Sequence, residues 1–167
     1  IGSFMNILDA TIVNVSLSHI AGDFGVSPSQ GTWVITSYAV SEAILLPLTG
    51  WLSKRFGSVN LYIWGTILFT IASVLCGLSF SFEFLLFARI LQGVVGACMI
   101  PLSQTLLMSI YPKDKKGLAL GIWSMTIVIA PVVGPILGGW ITDNWNWRWS
   151  FYINTVSYTH LRAHETR

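Results

Sequence analysis

Three ionisable side chains stand inside long apolar stretches of this sequence: Asp9, Glu42 and Arg89. On insertion scales a charged group at the centre of a spanning helix costs at least about 2.5–3.5 kcal/mol. Such groups therefore pair with one another or face a polar interior. A carboxyl held there can load a proton from one side, release it on the other, and attract a cation while ionised. Asp9 and Glu42 are accordingly the candidate protonatable groups, expected to face a central cavity. Arg89 is the candidate charge partner of Asp9. Gln92, one helical turn beyond Arg89, lies on the same face. His160 and His164 have the i, i+4 spacing of a helical metal pair but lack a third ligand, so no metal and no cofactor are expected. Cys76 and Cys98 lie in apolar runs and read as small packing residues.

The elements that hold these residues follow from the gaps between charges. The chain has 167 residues, of which 53% are hydrophobic and only 10% charged, against about 25% charged in a typical soluble domain. No Asp, Glu, Lys or Arg occurs in 24–41, 56–82, 90–112 or 117–142. A membrane-spanning helix needs roughly 20 mostly apolar residues. The pattern predicts an all-α membrane protein with five transmembrane helices over 1–21, 31–52, 61–80, 84–110 and 118–141. The start of a sixth is expected at Ser150–Asn154. A formal net charge of +2 offers no basic surface for phosphates, which excludes a nucleic-acid-binding module.

Orientation follows from the loops. Lys54 and Arg55 follow the second span, and Lys113, Lys115 and Lys116 follow the fourth; the remaining loops before residue 150 hold one basic residue, Arg148. The 53–60 and 111–117 loops are therefore expected on the cytoplasmic side. Glu42 is nine residues from Trp33, about 14 Å along its helix and close to the midplane of a ~30 Å core. The same count sets Asp9 about 20 Å and Arg89 about 8 Å below the outer surface. A direct pair would then require helix tilt, a later loop start or a bridging water. After Asn154 the apolar pattern stops. Residues 155–167 are expected to be a non-native, adapter-derived tail, leaving 1–154 as the folded unit.

Four strings carry more than hydrophobicity: Leu8–Val15 (LDATIVNV), Gly50–Gly57 (GWLSKRFG), Arg89–Gly93 (RILQG) and Ala130–Gly139 (APVVGPILGG). Together, in this order, with Gln30–Ser37 and Trp123–Thr126, they resemble the major facilitator superfamily. More narrowly, they resemble its EmrB/QacA-type drug:proton antiporters. The resemblance implies two six-helix halves built from inverted three-helix repeats, two further helices in this subgroup, and a substrate site near the midplane. Residues 1–154 would be most of the N-terminal half.

By the same resemblance the function is proton-coupled antiport, exporting lipophilic, often cationic compounds across the inner (cytoplasmic) membrane. The implied partners are the lipid bilayer, protons, a lipophilic small molecule and a periplasmic adaptor protein. Asp9 gains a coupling role, whereas Glu42 belongs to no named motif and rests on physics alone. Gly50, Lys54, Arg55 and Gly57 would form a conformational motif at a tight inner turn. An Asp usual there is replaced by Ser53, which puts its charge relay in doubt. Pro131, Gly134, Pro135, Gly138 and Gly139 would form the antiporter signature, a bent and closely packed helix sealing the cavity. Ser18 stands where the family places a proline, so a less bent outer end of the first helix is expected. Spacing alone leaves an importer or uniporter of another small solute open. No H-E-x-x-H, G-x-S-x-G or G-x-x-x-x-G-K string suggests an enzyme.

Overall fold

A computed structural model describes residues 2–155 of the chain. The described residues are helices joined by short turns, in the order α1 (Gly2–Phe24), α2 (Pro28–Gly31), α3 (Trp33–Leu45), α4 (Thr49–Phe56), α5 (Ser58–Gly77), α6 (Phe82–Gly96), α7 (Met99–Ile110) and α8 (Lys116–Asn144). A last helical stretch covers 149–155. Grouped by length and apolarity they make five candidate membrane spans: Gly2–Phe24, Pro28–Phe56, Ser58–Gly77, Phe82–Ile110 and Lys113–Asn144. These coincide with the five expected helices to within a few residues, and the sixth helix begins where the apolar pattern resumes. The expected tail lies outside the described residues but for Thr155.

Two spans are interrupted, and proline accounts for both. Proline lacks the N–H that would bond the carbonyl four residues back, and its ring crowds that carbonyl. Pro47 lies in the 3-10 turn Leu46–Leu48 that separates α3 from α4. Pro101 stands four residues after Ala97, where α6 gives way to the turn before α7. By contrast α8 runs unbroken through Pro131 and Pro135. The second span begins with Ser27 capping α2: its hydroxyl accepts from the Gln30 N–H, and Gln30 Oε1 accepts from the Ser27 N–H. Helix α1 is continuous to Phe24, through Ser18.

Helices α1 and α8 pack along a line of small residues. A Cβ at Gly134 would collide with the Thr11 side chain, and one at Gly138 would lie 3.0 Å from the Ile12 carbonyl oxygen. Pro131 and Pro135 are exposed on the other side of α8, while Ala130, Gly134 and Gly138 are buried. At the end of the bundle opposite Lys54 and Arg55, Phe24, Phe82, Trp147 and Phe151 form an aromatic cluster with centroid separations of 5.7–6.1 Å. Asp23 accepts there from Trp147 Nε1 (2.7 Å) and pairs with Arg148 (3.4 Å). At the other end, the Ser3 and Ser103 hydroxyls lie 2.5 Å apart and Trp123 Nε1 donates to Ser103 Oγ. Polar contacts thus close the bundle at both rims, and one larger network lies between them.

Candidate functional site

Helical spacing sorts the polar residues of the spans into facing sets. Asn6 and Asp9 are three apart on α1, Tyr38 and Glu42 four apart on α3, and Arg89 and Gln92 three apart on α6. All but Glu42 are buried. The α6 face is able to approach because it carries glycines. A Cβ at Gly93 would collide with the Tyr38 carbonyl oxygen, and one at Gly96 would lie 3.0 Å from Asn6 Nδ2 and 3.1 Å from the Tyr38 hydroxyl.

Asp9 and Arg89 form a direct ion pair, Nη1 to Oδ2 at 2.5 Å, with both side chains wholly out of solvent. Arg89 Nη1 also donates to Gln92 Oε1 (2.7 Å), and Arg89 Nε donates to the Val34 carbonyl (3.3 Å). The guanidinium carbon lies 4.6 Å from the centre of the Tyr38 ring and 5.4 Å from that of Phe151. The other carboxylate oxygen, Asp9 Oδ1, accepts from Gln92 Nε2 (3.0 Å) and Asn154 Nδ2 (2.7 Å). Asn154 donates in addition to Ser73 Oγ (2.9 Å), whose own hydrogen goes to the Phe151 carbonyl (2.8 Å). A buried carboxylate and a buried guanidinium are tolerable when paired and further hydrogen-bonded. Asp9 meets both conditions; Arg89 meets them through Nε and Nη1, while its buried Nη2 has no hydrogen-bond partner among the described residues.

The depth count that separated Asp9 from Arg89 is corrected by this geometry. It measured backbone positions, whereas the Arg89 side chain runs inward past one turn of its own helix to Gln92. No bridging water is required. Asp9 is enclosed by its donors. Glu42 is half-buried in an open surface pocket of about 330 Å³ whose other lining residues are Ala39, Ala43, Leu46, Ala97 and Ile100.

Glu42 is joined to the centre through residues that sequence reasoning did not single out. Asn6 Nδ2 donates to Glu42 Oε1 (3.3 Å) and to the Gly96 carbonyl (2.9 Å), and the Tyr38 hydroxyl donates to Asn6 Oδ1 (2.7 Å). Ser73 and Asn154 were equally unmarked. The available signal was spacing: Asn6 shares a face with Asp9, and Tyr38 with Glu42.

The motif residues outside the core lie as follows. Lys54 and Arg55 close the last turn of α4, and Gly57 turns the chain into α5 at φ +82°, a conformation that favours glycine. Ser53 donates to the Gly50 carbonyl (2.9 Å) and so satisfies its own helix. Gly50 itself is not a point of close approach, since a Cβ there would meet nothing within 4 Å. Among the described residues no group of three or more His, Cys, Asp or Glu side chains could hold a metal.

The family profile described as Major Facilitator Superfamily matches residues 1–159. Among curated proteins, the chain is 56% identical to the multidrug export protein EmrB of Haemophilus influenzae over 92% of its own length and 30% of that protein's. It is 50% identical to the fatty acid resistance protein FarB of Neisseria gonorrhoeae, over 98% of this chain and 34% of that one. The chain thus spans about a third of the length of these relatives. Two solved structures share the fold. The proton:xylose symporter XylE bound to 6-bromo-6-deoxy-D-glucose superposes with a TM-score of 0.81 at 17% identity, over 96% of this chain and 42% of that one. An inward-facing, occupied bacterial homologue of the lysosomal transporter Spinster gives 0.78 at 22%, over 92% and 39%.

Proposed function

The chain belongs to the Major Facilitator Superfamily, and on that premise we propose that it serves as the N-terminal half of a drug:proton antiporter. Its work is to export lipophilic, often cationic compounds across the cytoplasmic membrane in exchange for protons. The observation that carries this reading is the buried Asp9–Arg89 pair, with a second carboxyl, Glu42, in an apolar pocket and connected to the pair through Asn6 and the ring of Tyr38. The relatives' names, a multidrug exporter and a fatty acid resistance protein, support the substrate class. An adaptor protein in the periplasm is the partner proposed for export beyond the inner membrane.

The chemistry divides between the two carboxyls. A proton delivered to Asp9 removes the charge that Arg89 is paired with, and a buried guanidinium without its counter-charge is strongly disfavoured. The protonated and ionised forms therefore prefer different packings of α1 against α6. That difference lets a proton gradient drive alternation between packings. Glu42 meets substrate. A pocket walled by alkyl groups with one carboxylate at its edge suits a cation carrying an apolar body.

The test is Asp9→Asn in the full-length transporter, reconstituted in liposomes with a fluorescent lipophilic cation. Proton-driven accumulation should fall on the order of a hundredfold, while binding of the cation persists. Undiminished proton-driven transport by Asp9→Asn would remove the proposal's foundation.

A further inference from the structure

Asn6 and Tyr38 take no part in the ion pair, yet they fill the space between it and Glu42. We propose that they form a link through which occupancy at Glu42 is felt at Asp9 and Arg89. This deepens the reading above, since it takes Glu42 as the cation site and Asp9 as the proton site.

The argument begins with the Asn6 amide, all of whose bonds are spoken for. Its oxygen accepts from the Tyr38 hydroxyl, and its NH2 group is shared between the Gly96 carbonyl and Glu42 Oε1. The Gly96 carbonyl can only accept, so the amide cannot be turned end for end without setting two oxygens against each other. Its orientation is fixed, and so is the direction of every bond in the chain from Tyr38 to Glu42. Tyr38 then has two contacts of different kinds. Its hydroxyl reads Asn6, and its ring lies 4.6 Å from the guanidinium carbon of Arg89. Gly96 gives these side chains room, as a Cβ there would crowd Asn6 Nδ2 at 3.0 Å and the Tyr38 hydroxyl at 3.1 Å, while Gly93 lets the Tyr38 backbone approach.

A cation drawn to Glu42 competes with Asn6 for the carboxylate. Losing that acceptor, the amide can settle wholly on Gly96, which moves the oxygen that holds Tyr38. The ring is carried with its hydroxyl, against a guanidinium that also has the Phe151 ring within 5.4 Å. The remaining freedom of Arg89 is along its bonds to Asp9 and Gln92. By linkage, the same path must act in reverse, so that a change at Asp9 alters the affinity at Glu42 by an equal factor.

The experiment is a double-mutant cycle on equilibrium binding of ethidium to the full-length transporter in detergent. Affinity is measured for the parent, Asp9→Asn, Glu42→Gln and the double variant, and again with Tyr38→Phe in all four. Tyr38→Phe keeps the ring on Arg89 and removes only the hydroxyl. The parent cycle should be non-additive by about tenfold, and the Tyr38→Phe cycle additive to within about twofold. A side chain that merely supports the fold would weaken all four proteins alike and leave the non-additivity in place. Asn6→Leu, close in volume and without the amide, gives a second cycle judged by the same criterion. An additive parent cycle, or non-additivity that survives both substitutions, overturns the link. Failure of the antiport reading would look different: coupling present in the cycle, but Asp9→Asn still transporting with the proton gradient.

Discussion

At Arg89 a flat cation and its N–H groups are divided among several neighbours: Asp9 and Gln92 through Nη1, the Val34 carbonyl through Nε, and the rings of Tyr38 and Phe151 near its central carbon. Lysine offers a compact ammonium without a planar face. Arg89→Lys should therefore keep the charge yet lower proton-driven export at least about tenfold, measured in reconstituted liposomes. Export equal to the parent would show that charge alone suffices. At Glu42 the expectation is selective. Glu42→Gln preserves shape and hydrogen bonding to Asn6, so export of cationic compounds should fall about tenfold while neutral ones stay within about twofold. Equal treatment of both classes would exclude a substrate-charge role. The charged members of this site were legible in the sequence because an ion in an apolar run is costly anywhere but in company. Asn6, Tyr38, Ser73 and Asn154 were not. The spans hold many uncharged polar residues, and most satisfy their own helix: Thr11 donates to the Ile7 carbonyl, Asn14 to Ala10 and Thr70 to Thr66. Which few reach across to another helix depends on packing, and no local pattern distinguishes them.

Among the helices, α1 and α8 offer the sharpest test of packing. Gly134 faces Thr11 with no room for a methyl group, whereas a Cβ at Gly139, five residues on, would meet Val15 Cγ1 at an ordinary 3.9 Å. Gly134→Ala should destabilise the transporter by about 1–3 kcal/mol, read as a lower thermal unfolding midpoint in detergent. Gly139→Ala should leave that midpoint nearly unchanged. Comparable losses from both would mean that general glycine content, rather than this contact, matters. The sequence pointed to close packing here but assigned it to all the small residues alike. The structure divides them by face, with Gly134 and Gly138 against α1 and both prolines turned away. Span positions were readable because the charge gaps match the thickness of hydrocarbon. The breaks at Leu46–Leu48 and at Ala97 were less so, since Pro131 and Pro135 show that proline in a span does not always interrupt it.

For the molecule as a whole, the excess of lysine and arginine at one side should set its direction in the membrane, with those loops in the cytoplasm. Single cysteines placed at Ser29 and Asn146 should react with a membrane-impermeant thiol reagent applied to intact cells. Cysteines at Lys54 and Lys115 should react only after permeabilisation. The reverse pattern would invert the topology. The central network also has a history in time. Asp9 meets Arg89 across 80 residues of sequence and Asn154 across 145. A ribosome adding about 5–20 residues each second needs roughly 4–16 s to make the first of these intervals. Through that time Asp9 is in the membrane without the arginine it pairs with in the folded bundle. Arg89 emerges equally alone until α6 finds α1. Assembly of this network is therefore a matter of waiting as well as folding, and the second oxygen of Asp9 gains Asn154 as a donor only after 145 residues.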